Sequence, residues 1–224
     1  MRRSSPFVLV TLLSAGLAGL SGAPASLAAQ SATAADAHPA HRSAVTRATV
    51  VLLVRHGEKA AAPAGDPALS EGGAERARAL ADALGASGVS AIVVTPLIRT
   101  RATAQPLADR LGLTPEAVPL DGGVEGHARA VAAAVRRHAG EAVLVVGHSN
   151  TVPAIIAALG GPAGPDICDA EYSNLFVLVL QPPAEPKAGA PAGNASGPAQ
   201  LVRSHYGRPD DPAAVRACDT MTPR

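Results

Sequence analysis

Between residues 49 and 206 the chain alternates short, unbroken apolar runs with longer stretches whose apolar residues recur every three or four positions. Residues 50–54, 91–95, 141–146 and 175–180 are valine-rich or leucine-rich and lack polar alternation. That is the pattern of strands buried on both faces. Helices are predicted between them. Over 70–86, Ala74, Ala77, Leu80, Ala81 and Leu84 share one face, with Glu75, Arg78 and Asp82 opposite. Ser70 is placed to cap that helix, and Gly85 and Gly88 to end it. A second helix spans 98–111, with Pro106 expected to kink or divide it. A third spans 124–138, with Val124, Ala128, Val131, Ala132 and Val135 on one face, and a fourth 151–159, capped by Ser149 or Asn150. Residues 116–120 read as a short strand and 200–206 as a last, edge-like one. The alternation predicts an α/β fold, a mostly parallel mixed sheet with helices on both faces.

Three of the buried-type strands end in polar turns: Arg55-His56-Gly57, Thr95-Pro96 and Gly147-His148-Ser149. Helical crossovers make parallel neighbours the default, so these ends should share one edge of the sheet, where open α/β sheets place their ligands. Arg99 falls in the first turn of the second helix. A cation there opposes the helix dipole, which suggests an anion nearby; Arg101 reads as solvated. Arg55, His56, Arg99 and His148 would then face one pocket. Two arginines and two histidines around one point suit a phosphoryl group, whose oxygens accept several charge-assisted bonds.

The ends of the chain and its composition change the picture in three ways. First, Arg2-Arg3, an apolar run from Phe7 to about Leu20 and small residues up to Ala29 follow the order of a secretory signal. Residues 1–29 are read as a signal peptide, cleaved after Ala28 or Ala29 with Ala25 as competitor; an uncleaved anchor is the alternative. Residues 30–47 read as a flexible linker, 182–199 as a Pro/Gly/Ala-rich disordered insert and 208–224 as a polar tail. Residues 48–207 form the folded domain, with no stable membrane span expected after cleavage. Second, a net charge of +1 and an aromatic content of 2% give no basis for nucleic-acid binding. Third, two cysteines in an exported chain, Cys168 and Cys218, are expected to pair; two buried thiols are the alternative. Oligomeric state is not readable.

The segments 55–57, 69–77, 95–104 and 147–150 together resemble the histidine phosphatase superfamily, also called phosphoglycerate-mutase-like. Arg55-His56-Gly57 is similar to its Arg-His-Gly signature. Leu69-Ser70-Glu71-Gly72-Gly73-Ala74-Glu75-Arg76-Ala77 is similar to its Leu-Ser/Thr-x-x-Gly-x-x-x-Ala segment. Thr95-Pro96-Leu97-Ile98-Arg99 with Thr103-Ala104 is similar to its segment around the second arginine, and Gly147-His148-Ser149-Asn150 to the setting of its second histidine. The resemblance implies a three-layer sandwich and a small phosphorylated substrate. It implies that His56 attacks phosphorus while Arg55, Arg99 and His148 hold the phosphoryl oxygens, with no metal or other cofactor required.

The general acid is less plain. Branches of the family that place Asp directly after the second histidine are excluded by Ser149. Those that use a Glu between the second arginine and the second histidine leave Glu125 and Asp121 as candidates. Outside hydrolysis, the same residues would also suit an exported phospho-ligand-binding protein or a phosphomutase. Specificity is expected from the loops at 60–69 and 116–126.

Overall fold

The computed structural model describes residues 47–182 and 198–221. The signal peptide, nearly all of the linker, most of the 182–199 insert with its Asn194-Ala195-Ser196 sequon, and the last three residues lie outside the described residues.

Strand β1 (Thr49–Arg55) is followed by helix α1 (Glu71–Leu84), β2 (Val89–Val94), α2 (Ile98–Leu111), β3 (Glu116–Ala117), α3 (Gly123–Arg136), β4 (Ala142–Gly147), α4 (Thr151–Ala158), β5 (Asn174–Leu180), β6 (Gln200–His205) and α5 (Pro212–Met221). The six strands form one sheet in the order β3-β2-β4-β1-β5-β6. β1 lies parallel to β4, and β2 parallel to both β4 and β3. β5 runs antiparallel to β1, and β6 antiparallel to β5. The sheet is therefore mixed, with a parallel centre.

The unbroken apolar strands follow from this placement. Alternate residues of β1 serve opposite cores: Val51 and Leu53 join one, Leu52 and Val54 the other. The first core is closed by Val131 and Val135 of α3 and Val152 and Ile155 of α4. The second is closed by Leu80 and Leu84 of α1 and Ala104 and Leu107 of α2. Each residue of β1 thus meets a helix layer, whichever way it points. The result is a three-layer sandwich. Among the described residues no helix is long and apolar enough to cross a membrane.

Local expectations meet the structure unevenly. Ser70 caps α1, its hydroxyl accepting the Gly73 N–H at 3.1 Å. Pro106 does not divide α2, which continues to Leu111. Ala104, Leu107 and Ala108 are fully buried around it, and this tertiary burial outweighs the local cost of proline. Asn150 occupies the start of α4 but makes no side-chain cap bond. The 208–224 segment, read only as polar, carries α5, and a Cys168–Cys218 disulfide ties this helix to the loop between α4 and β5.

Candidate active site

The carboxyl ends of β1, β2 and β4 lie side by side, as their parallel pairing requires. Arg55 ends β1, in register with Gly147 at the end of β4. His56 follows the first strand and His148 the second. Arg99 comes from the first turn of α2, which begins where β2 ends. All four side chains line one cavity of about 470 Å³. The imidazole centroids of His56 and His148 are 5.3 Å apart, edge to face.

His56 is held in one tautomer. Its Nδ1 lies 2.8 Å from the Gly57 carbonyl oxygen, which can only accept, so Nδ1 carries the proton and Nε2 keeps its lone pair. Burial is the main cause that lowers its pKa to about 4; the Gly57 bond opposes the shift, and Arg55, Arg99 and Lys59 reinforce it. Gly57 itself must be glycine for packing. A Cβ there would stand 2.9 Å from the Gly73 carbonyl oxygen, where α1 presses backbone to backbone on the end of β1. Its N–H donates to Thr103 Oγ1 at 2.9 Å, and the Thr103 hydroxyl donates to the Arg99 carbonyl at 2.7 Å. The turn carrying His56 and the helix carrying Arg99 are thereby joined.

His148 Nε2 stands 3.1 Å from Thr95 Oγ1, while Nδ1 has no partner among the described residues. Burial first, then His56 and Arg99, lowers its pKa to about 3. Both rings are therefore neutral at physiological pH.

The arginines are oriented by loops. Arg55 donates through Nη1 to the Cys168 and Glu171 carbonyls, at 2.9 and 3.3 Å. Through Nη2 it meets Asp169 at 3.1 Å and the Tyr172 hydroxyl at 3.4 Å. Its guanidinium also lies 4.2 Å from the Tyr172 ring centre. Arg99 pairs with Asp66 at 3.4 Å. The same carboxylate accepts the Ile98 N–H at 3.0 Å, so the anion at the start of α2 is Asp66 from the β1–α1 loop. Arg55 Nε and Arg99 Nε, like His148 Nδ1, are buried without partners among the described residues. Three of the four residues expected to face the pocket, Arg55, Arg99 and His148, thus keep a buried polar atom without a partner among the described residues.

Glu58 turns away from the cavity. Its carboxylate accepts two bonds from buried Arg76, at 2.8 and 2.9 Å. Burial pushes the Glu58 carboxyl up, but the Arg76 bonds, a backbone bond and the charges of Arg76 and Arg208 together more than reverse this and hold it below its ordinary value.

The structure does not bring the two acid candidates to the cavity. Glu125 is 89% exposed and pairs with Arg129 at 3.7 Å; Asp121 is exposed. Val124 lines the cavity, and the next residue on a helix projects about 100° away. The carboxylates that line it are Asp166 and Asp169, from the α4–β5 loop. Sequence reasoning missed them because it gave β5 no direction. An antiparallel β5 beside β1 begins where β1 ends, so the loop entering it crosses the cavity. The signal available was Cys168, which marks this loop as anchored.

Residues 51–120 match the sequence profile of the histidine phosphatase superfamily (branch 1). No curated protein matches the chain. Among solved structures, mycobacterial hydrolase 2 shares 17% identity over 79% of this chain and 98% of its own, with a TM-score of 0.52. Mycobacterial hydrolase 1 shares 20% over 69% of this chain and 97% of its own, with a TM-score of 0.50. The protein histidine phosphatase SixA complexed with tungstate shares 24% over 58% of this chain and 88% of its own, with a TM-score of 0.48. With the two mycobacterial hydrolases the likeness is one of fold.

Proposed function

We propose that this chain is a phosphatase of the histidine phosphatase superfamily, whose profile its residues 51–120 match, and that it hydrolyses a phosphomonoester through a phosphohistidine on His56. The observation that carries this reading is the neutral His56 imidazole, its Nδ1–H fixed on the Gly57 carbonyl and its Nε2 free in a cavity lined by Arg55, Arg99 and His148.

The phosphoryl oxygens take the place of Asp169 on Arg55 and of Asp66 on Arg99. The Nε2 lone pair attacks phosphorus, the phosphorus–oxygen ester bond breaks, and the alcohol leaves with a proton. Asp166 and Asp169 line the cavity, and either one as the carboxylic acid supplies that proton and, as the carboxylate left behind, regains one from the water of the second step. The Gly57 carbonyl bond stabilises the positive charge that grows on the ring. Arg55, Arg99 and His148 stabilise the charge on the equatorial oxygens. Water then attacks the phosphohistidine, the nitrogen–phosphorus bond breaks, and inorganic phosphate is released. The positive charge comes from side chains, so no metal is needed for these steps.

Export is part of the proposal. The signal-like order of residues 1–29 and the Cys168–Cys218 disulfide both suit an oxidising compartment.

The test is turnover of p-nitrophenyl phosphate with EDTA present, beside His56→Ala. Alkaline quenching of the wild type should trap one added phosphoryl group by intact mass. Turnover that persists in His56→Ala, or that EDTA abolishes, overturns the reading.

A further inference from the structure

The cavity has two unlike walls, with Ser149, Asn150 and Thr151 at the start of α4 also lining it. On the β2–β3 side stand Leu97, Leu120 and Val124; on the β5 side stand Asp166 and Asp169. The described residues include four exposed large hydrophobic side chains: Ile98, Leu120, Val124 and Val202. Two of them, Leu120 and Val124, each 38% exposed, line the cavity. Ile98 lies between two lining residues, Leu97 and Arg99. Large side chains left in water at a cavity mouth mark a binding surface. The 470 Å³ is also within the range of small-molecule sites, with room for an organic group beyond the phosphoryl.

Electrostatics narrows the choice further. The arginines and histidines converge on the cavity floor, where the phosphoryl group is bound. Beyond them the lining offers one further cation, exposed Lys59, against two carboxylates. A leaving group with its own carboxylate or second phosphate would face Asp166 and Asp169 on one side and aliphatic carbon on the other. Neither wall favours it. An uncharged chain or ring would cover Leu97, Leu120 and Val124 and place no charge near the acids. We infer that the substrate is a singly phosphorylated ester of an apolar alcohol, alkyl or aryl, whose carbon part lies on the Leu97–Leu120–Val124 wall. This inference rests on the phosphatase reading and specifies its leaving group.

The experiment measures binding, so it does not depend on turnover. Methyl-, butyl- and hexylphosphonate, with 2,3-dihydroxypropylphosphonate as the polar match, are titrated into the mature protein by calorimetry. Affinity should rise about two- to fourfold per methylene, the gain expected for burying apolar carbon. Leu120→Ser combined with Val124→Ser should cut the hexyl-to-methyl affinity ratio by at least fivefold. Equal affinity along the alkyl series, or a dihydroxypropyl analogue that binds as tightly as butyl, overturns the inference. An alkyl gradient that survives the double substitution overturns the assignment of the wall. Loss of the phosphatase reading has a different signature: the alkyl gradient stands while no ester is turned over in a His56-dependent way.

Discussion

Lowering the pH from 7 to 5 separates a buried, neutral His56 from an ordinary histidine. A histidine with the usual pKa of 6.5 is about 76% neutral at pH 7 and only about 3% neutral at pH 5, so a nucleophile of that kind would lose roughly 25-fold in rate. With its pKa at about 4, His56 stays mostly neutral, and the enzyme's contribution to kcat/KM should fall by only about a tenth. The same shift carries a stability cost whose sign is fixed. The unfolded chain takes up a proton on this residue below pH 6.5 and the folded protein does not until about pH 4, so stability declines as pH falls through that window. At pH 5 the loss from His56 alone is about 2 kcal/mol. His148, depressed to about 3 by its own burial, acts in the same direction. The assays are an NMR titration of the His56 ring, assigned with His56→Asn, and urea unfolding of both proteins at pH 7 and pH 5. The wild type should lose about 2 kcal/mol more than the variant between the two pH values. A His56 ring that titrates at pH 6 or above in folded protein, or equal pH dependence in the two proteins, refutes the reasoning.

Three further outcomes are expected. Arg99→Ala should lower kcat/KM by about 10- to 100-fold, the loss of one or two charge-assisted bonds to the phosphoryl group, with little change in thermal melting. Glu125→Gln and Asp121→Asn should each leave kcat/KM within about twofold, because both side chains point to solvent; a tenfold loss in either would return that residue to the site. Cys218→Ser opens a disulfide that spans 50 residues. On the chain-entropy view this costs about 4 kcal/mol, read as a lower denaturation midpoint. Because the Cys168 carbonyl accepts a hydrogen bond from Arg55, the same variant should also weaken phosphate binding, measured by calorimetry.

The parts of this fold that were legible in the sequence are those where one residue type has one use. An unbroken aliphatic run such as 50–54 is explained by burial on both faces, and β1 has helices on both. Ser70 ahead of an amphipathic stretch is explained by a cap, and it caps α1. Strand direction brings Arg55, His56 and His148 together, because β1, β2 and β4 are linked by crossovers that leave little choice of edge, and Arg99 joins them from the first turn of the helix after β2. The illegible parts depend on pairings between segments far apart in the chain. Asp66 reads as one acid in an Ala/Pro/Gly loop until the start of α2 is brought against it. An ion pair between Glu58 and Arg76 reads as a surface contact, yet the Arg76 side chain is buried where it meets Glu58, two positions after His56.

The carboxylates show the same division most sharply. Counting along the chain favoured Glu125 and Asp121, which lie between the second arginine and the second histidine. The sheet decides otherwise, because a strand that reverses beside β1 delivers its entering loop over the cavity. That loop carries both Asp166 and Asp169, and its backbone carbonyls also fix the Arg55 guanidinium. The disulfide to α5 constrains the same segment. Position on the α4–β5 loop therefore links three properties that the sequence presents separately: the acid side chains, the orientation of the first arginine and the oxidation state of the two cysteines. Loosening the loop should disturb the first two together, whereas substituting Glu125 should disturb neither.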